Sequence, residues 1–125
     1  MNLLIDTHIL LWWLADDSAL SFKARSLISD ECNLIFVSTA SIWEIIIKKA
    51  IGKLEAPDNI EETLKENQFR ELPITLRHVI AIGHLPNHHK DPFDRMLIAQ
   101  AKCETLTLMT ADEKLTFYEV SHVKV

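Results

Sequence analysis

The chain has 125 residues, of which 48% are apolar and 25% charged, which is typical of one globular domain spanning residues 1–125. Its two glycines and four prolines leave no room for a flexible linker or a low-complexity segment. The formal net charge of −5 argues against a general nucleic-acid coat protein, which would be basic. A nuclease remains compatible with this charge, because carboxylates loaded with metal ions can bind phosphate.

The cellular compartment is predicted from three features. No apolar run approaches the length of a membrane span, so we expect no contact with a membrane. The N-terminal segment has neither a positively charged region nor a small-residue cleavage site, which predicts no export. Cys32 and Cys103 are isolated and are expected to be reduced, buried thiols. A cytoplasmic protein is therefore expected.

Strands and helices are predicted to alternate along the chain. The first strand, residues 3–5, is apolar throughout, as in a strand buried on both faces of a parallel sheet. Further strands are predicted at residues 34–37, 69–74, 106–109 and 123–125, with the third at an edge because it contains Pro73. Helices are predicted at residues 9–15, 21–28, 42–50, 60–67, 75–82 and 93–102, and a short one opens at residues 110–113. This alternation predicts a parallel, right-handed α/β sandwich.

Asp6 ends the first strand, immediately before an apolar helix. This position places the carboxylate at the carboxyl edge of the sheet, where open α/β sheets bind ligands. Taken alone, however, an aspartate after a strand is an ordinary turn or helix-capping residue.

The other candidate acids also have structural explanations. Glu44 fits a capping box with Ser41 and could pair with Lys48 one turn later. Asp91 before Pro92 fits a helix cap, which leaves Asp94 in the first helical turn. Asp112 lies between Thr110 and Glu113, which form a capping box without it.

The combination of acids is harder to explain by capping. Four of them lie at helix beginnings, and the ends of parallel strands should bring them to one edge of the sheet: Asp6, Glu44, Asp94 and Asp112. Clustered carboxylates repel one another, so the arrangement gains no stability unless a cation fills it. Oxygen ligands without cysteine suit Mg²⁺ or Mn²⁺.

The histidines and tryptophans are weaker indicators. His88 and His89 are adjacent in a polar loop, and solvated surface positions are expected for both. His8 is expected to pack or to cap. The tryptophans occupy helical positions and are expected mostly in the core, with Trp12 and Trp13 pointing in different directions: Trp12, Trp13 and Trp43.

Four segments together resemble the PIN-domain family and, within it, the VapC-type toxins of bacterial toxin–antitoxin pairs. They are Asp6-Thr7-His8, Ser41-Ile42-Trp43-Glu44-Ile45, the run DPFDRMLIAQA from Asp91 to Ala101, and Thr110-Ala111-Asp112. The resemblance implies a three-layer α/β/α sandwich with a four- or five-stranded parallel sheet. It also implies Mg²⁺- or Mn²⁺-dependent endoribonuclease activity, a homodimer, and a small antitoxin that blocks the site.

The resemblance also assigns site residues. The four family acids correspond to Asp6, Glu44, Asp94 and Asp112, with Thr110 as a neighbouring hydroxyl. A supporting role for Asp91 beside Asp94 is left open. Candidate contacts to the RNA backbone are basic residues, each of which has a solvated surface position as its alternative: Lys48, Lys49, Lys53, Lys90 and Arg95.

A second function class is a non-catalytic, partner-binding domain whose acids only cap helices. Metal titration separates the two classes, because caps alone would not couple several acids to one Mg²⁺ or Mn²⁺ ion. A phosphatase that forms an aspartyl-phosphate is a poor fit, since the segment Asp6-Thr7-His8 lacks a second aspartate at its third position.

Overall fold

The computed structural model describes residues 1–125 and contains one five-stranded, fully parallel sheet. In chain order the strands are β1 (Asn2–Ile5), β2 (Leu34–Ser38), β3 (Arg70–Leu72), β4 (Thr107–Thr110) and β5 (His122–Lys124). Their spatial order is β3-β2-β1-β4-β5, so β1 is central and β3 lies at an edge. The predicted parallel sheet and the edge position of the third strand are confirmed.

Six α-helices and one 3₁₀ helix connect the strands. They are α1 (Thr7–Leu14), α2 (Phe22–Ser29), α3 (Thr39–Ala50), α4 (Ile60–Glu66), α5 (Leu76–Ile82), α6 (Pro92–Glu104) and the 3₁₀ helix (Glu113–Phe117). None of these helices combines the length and the apolar character that crossing a bilayer requires.

The two faces of the sheet each carry a hydrophobic core. Because side chains alternate along a strand, Leu3 and Ile5 of β1 face one core while Leu4 faces the other. The first core is closed by residues of α1, α2 and α3, and the second by α6 and the 3₁₀ helix. The result is the expected three-layer α/β/α sandwich, and the burial of β1 on both sides explains its continuous apolar sequence.

Two helix beginnings differ from the predicted capping boxes. Helix α3 starts three residues earlier than expected, with Ser38 as its cap, so Ser41 lies inside the helix and accepts a hydrogen bond from Thr7 Oγ1 at 3.0 Å. The 3₁₀ helix is capped by Asp112, whose Oδ1 accepts from Lys114 N. The predicted Ser41–Glu44 and Thr110–Glu113 boxes are therefore wrong.

The predicted helix cap at Asp91 is confirmed, and two further helix ends follow local rules. Asp91 caps α6 with Pro92 in the first turn, and Thr75 caps α5. Gly52 follows α3 with φ of +73°, a left-handed conformation that glycine adopts at little cost.

The prediction of two buried thiols is wrong, because Cys32 is exposed and Cys103 only half-buried. The core position expected for Trp43 is also wrong, since 59% of this residue is exposed. Trp12 and Trp13 are half-buried against the first core.

Replacing Leu4 tests the two-sided burial of β1. Leu4→Ala removes a fully buried side chain and should lower the free energy of unfolding by about 2–5 kcal/mol. The same substitution at Leu34, which is 37% exposed at the start of β2, should cost less than about 1 kcal/mol. Urea denaturation monitored by circular dichroism measures both values, and equal costs would contradict the described burial.

Candidate active site

Asp6 lies at the carboxyl end of the central strand and is only 3% exposed. Its Oδ1 caps α1 by accepting a hydrogen bond from Ile9 N at 2.9 Å. Its Oδ2 accepts one from Thr110 Oγ1 at 2.5 Å, across the adjacent strand end. Burial raises the pKa of Asp6, while the donors Thr110 and Ile9 oppose this rise. The carboxylate is thus dehydrated but held by two donors.

Thr110 also connects Asp6 to Asp112. The Asp112 N–H donates to Thr110 Oγ1 at 2.9 Å, so one hydroxyl group orients acids that follow β1 and β4. Thr110 thus lies beside Asp6 and Asp112, where the resemblance implied a hydroxyl next to the acids.

Glu44 lies in α3 and is 4% exposed. Its Oε2 accepts a hydrogen bond from Lys48 Nζ at 2.6 Å, as the sequence spacing predicted. Its Oε1 is buried and has no hydrogen-bond partner in the chain. Burying a carboxylate oxygen without a partner is costly, and a bound water molecule or cation would offset that cost.

Asp94 occupies the first turn of α6, and Asp91 accepts hydrogen bonds from Phe93 N and Asp94 N at 2.8 and 3.0 Å. The pKa of Asp94 is raised to about 7, mainly by burial and then by the charge of Asp91. Asp6 and Glu44 raise this pKa further, whereas His89 lowers it. Asp94 therefore lies within electrostatic reach of acids from β1 and α3, and the sheet edge brings the predicted acids together.

His89 is the site residue that sequence reasoning missed. Its Nε2 lies 3.1 Å from Asp112 Oδ2 and 3.3 Å from Asp94 Oδ2, and its side chain is 16% exposed. The expected solvated position is wrong for His89, although His88 is exposed. The only sequence signal was its position two residues before Asp91, in the same short run as two candidate acids.

His8 does not join this group through a hydrogen bond. It is exposed, and its ring centroid lies 6.1 Å from that of Trp12. Its charge contributes only a small lowering of the Asp6 pKa. Trp43 lies nearer to the site elements, with its ring 5.3 Å from that of Phe93 in an edge-on arrangement.

The basic candidates fall into two groups. Three of them are engaged within the chain: Lys48 with Glu44, Lys49 with Asp58 at 2.5 Å, and Arg95 with backbone carbonyls that include Pro86 O at 3.0 Å. Among the basic candidates, only Lys53 and Lys90 are exposed and have no ion-pair or side-chain hydrogen-bond partner within the chain.

The donor set fits a hard divalent cation. Carboxylate oxygens dominate the site, and Lys48 is the ammonium group paired with a site acid. Glu44 Oε1 is buried without a partner, and burial followed by the charge of Asp91 raises the pKa of Asp94, so neither carboxylate is fully compensated by the chain. Mg²⁺ and Mn²⁺ prefer such oxygen ligands and offset such charge.

A comparison with known protein families identifies the family of this chain. Residues 3–123 match the PIN domain, so the chain belongs to the PIN-domain family, whose members are generally nucleases. No curated protein sequence matches it.

Solved structures share the fold at low sequence identity. VapBC2 from Rickettsia felis, bound to a promoter DNA fragment, has a TM-score of 0.72 and 13% identity over 100% of this chain and 99% of that one. FitAcB from Neisseria gonorrhoeae has a TM-score of 0.66 and 16% identity over 98% and 96%. A domain of a functionally unknown protein from Methanocaldococcus jannaschii has a TM-score of 0.60 and 14% identity over 99% and 90%.

Because the pKa of Asp94 is raised, the free energy of unfolding of the metal-free protein should depend on pH. Between pH 4 and 7 the folded state retains a proton at Asp94 that the unfolded state has lost. The free energy of unfolding should therefore fall as pH rises through this window. Asp94→Asn removes the charge and should stabilise the protein in EDTA at pH 8 by about 1–3 kcal/mol, with the difference vanishing near pH 4.

Asp58→Asn provides the matched control for this measurement. Asp58 is fully exposed, and its hydrogen bond with Lys49 lowers its pKa, so this change should not stabilise the protein at pH 8. Thermal denaturation at both pH values measures the effect. If D94N is no more stable than the wild type at pH 8, the raised pKa of Asp94 is contradicted.

Proposed function

We propose that the chain is a Mg²⁺- or Mn²⁺-dependent endoribonuclease and the toxin of a toxin–antitoxin pair. The proposal rests on the acids that act on Asp94, whose pKa is raised by the charges of Asp6 and Glu44 from other elements, and on the buried Glu44 Oε1, which has no hydrogen-bond partner in the chain. Membership in the PIN-domain family supports a nuclease. The sequence resemblance to VapC-type toxins supports RNA as the substrate.

The acids have distinct roles in this proposal. Asp6, Asp94 and Asp112 hold the cation, with Asp6 anchored by the hydroxyl of Thr110. Glu44 either holds a second ion or orients the attacking water through Oε1, since its Oε2 is bound to Lys48. A bound divalent cation supplies the charge that lowers the pKa of water and offsets negative charge developing on the phosphate.

The reaction proposed is hydrolysis of a phosphodiester bond. The oxygen of water bonds to phosphorus, the bond from phosphorus to the 3′ oxygen breaks, and the leaving oxygen takes up a proton. The products carry a 5′-phosphate and a 3′-hydroxyl, as the resemblance to VapC-type toxins implies. Among the candidate contacts to the RNA backbone, Lys53 and Lys90 are exposed and free to bind phosphate, whereas Lys48, Lys49 and Arg95 have partners within the chain.

A small antitoxin and a second copy of the chain are the proposed protein partners. Both follow from the resemblance to VapC-type toxins, and the shared fold with VapBC2 from Rickettsia felis supports the antitoxin. Exposed apolar residues of α3 and α5 offer surface for such contacts: Trp43, Ile46, Ile47, Leu76, Val79 and Ile80.

The alternative is a non-catalytic, partner-binding domain, and one observation favours it. Asp6, Asp91 and Asp112 all cap helices, as a purely structural reading requires. Glu44 and Asp94 have no capping role, however, and both carry burial costs that capping does not explain. Titration with Mn²⁺ decides between the two functions, since helix caps alone predict no binding that depends on Glu44 and Asp94.

Asp6→Asn tests the nuclease assignment without removing the helix cap, because asparagine caps as well as aspartate. The variant should cut total RNA about 100-fold or more slowly than the wild type in Mg²⁺ or Mn²⁺, since it loses the charge that anchors the cation. Cleavage by the wild type should stop in EDTA.

Asp17→Asn is the control, because Asp17 is exposed and accepts a hydrogen bond from Ala19 N at 2.8 Å away from the acid cluster. This variant should cleave RNA at the wild-type rate. Full activity of D6N, or wild-type cleavage that persists in EDTA, would refute the assignment.

A further inference from the structure

The main chain fixes the position of His89 independently of its ring. Its N–H donates to Tyr118 Oη at 2.9 Å, and its carbonyl oxygen accepts a hydrogen bond from Arg95 at 3.3 Å. Arg95 also donates to Tyr118 Oη, which joins the two anchors. The imidazole therefore projects from a fixed backbone, and changes at the ring leave both anchors in place.

The hydrogen bond at Nδ1 determines which ring nitrogen carries the proton. Nδ1 accepts from the backbone N–H of Asp91 at 3.0 Å, and a backbone N–H can only donate. Nδ1 must therefore present a lone pair, and the proton of the neutral ring is on Nε2. That Nε2–H points to Asp112 Oδ2 at 3.1 Å and lies 3.3 Å from Asp94 Oδ2.

Together, the side chains of His89, Asp94 and Asp112 look like a metal centre in which the histidine is a ligand. Their ligand atoms lie within 4.8 Å of one another. A ring nitrogen that carries a proton has no lone pair to offer a cation, however, and moving the proton to Nδ1 would oppose it to the Asp91 N–H. The Asp91 N–H thus keeps Nε2 a donor.

We infer that His89 is a positioning residue that orients Asp94 and Asp112 for cation binding through its Nε2–H and does not itself ligate the cation. The inference rests on the proposed function, because it assigns those carboxylates to the cation. Asp112 follows β4 and Asp94 belongs to α6, so the imidazole ties together acids from two elements. Groups that orient metal ligands in this way commonly affect metal affinity.

Mn²⁺ binding by isothermal titration calorimetry tests the positioning role with three variants. His89→Ala should weaken Mn²⁺ binding by about 10- to 100-fold, since the shared donor is lost. His89→Gln places an amide N–H donor at comparable reach and should restore the affinity to within about fivefold of the wild type. His88→Ala is the matched control from the same loop, because His88 is exposed and forms no hydrogen bond or ion pair with either acid, and this variant should bind Mn²⁺ like the wild type.

The wild-type protein provides a second readout that needs no substitution. Nitrogen-15 NMR of labelled histidine should show the Nε2–H tautomer of His89 in the metal-free protein and again after Mg²⁺ is added. An Nδ1–H tautomer in the metal-free protein, or loss of the Nε2 proton with Mg²⁺, would overturn the inference.

The outcomes separate this inference from the proposed function. If the wild type binds Mn²⁺ and folded H89A binds it equally well, the positioning role is wrong and the cation site stands. If the wild type binds no Mn²⁺, the proposed function is overturned and the role of His89 falls with it. Reduced affinity in H89A, recovery in H89Q and an unchanged Nε2–H tautomer support the inference.

Discussion

The hydrogen bond from Thr110 to the buried carboxylate of Asp6 is the contact around which the site is arranged. Asp6 directly follows the central strand and caps α1, so its position is set by the core of the sheet. Burial disfavours its charge, and Thr110 and Ile9 compensate by donating to the two oxygens. Through the Asp112 N–H, the same threonine sets the direction of the next acid.

Negative charge is concentrated at this edge and only partly balanced by the chain. Lys48 neutralises one oxygen of Glu44, and His89 contacts two acids, yet Glu44 Oε1 stays unpartnered and the pKa of Asp94 is raised. Without a cation, the burial of these carboxylates and the repulsion between them lower the free energy of unfolding. The same charge would attract the proposed cation, so the cost in folding and the proposed function have one physical origin.

Sequence patterns predicted the parts of the fold that depend on local rules. The apolar run of β1, the cap at Asp91 and the order of strands and helices were all readable from residue type and spacing. The capping boxes at Ser41 and Thr110 failed because a local motif does not show where the preceding strand stops: α3 begins at Thr39, directly after β2. His89 was missed because its partner Asp112 is 23 residues away, and only the folded chain brings them together.

The acids of the site come from nearly the whole length of the chain, from Asp6 to Asp112, and the sheet closes with β5 at residues 122–124. A ribosome therefore has to synthesise the chain through Asp112 before the four carboxylates can meet. Nascent chains that stop before residue 112 lack Asp112, those that stop before residue 110 also lack the Thr110 hydroxyl, and neither can assemble the site. For a protein proposed to cut RNA, this order of synthesis delays activity until β4 and the acid that follows it have been translated.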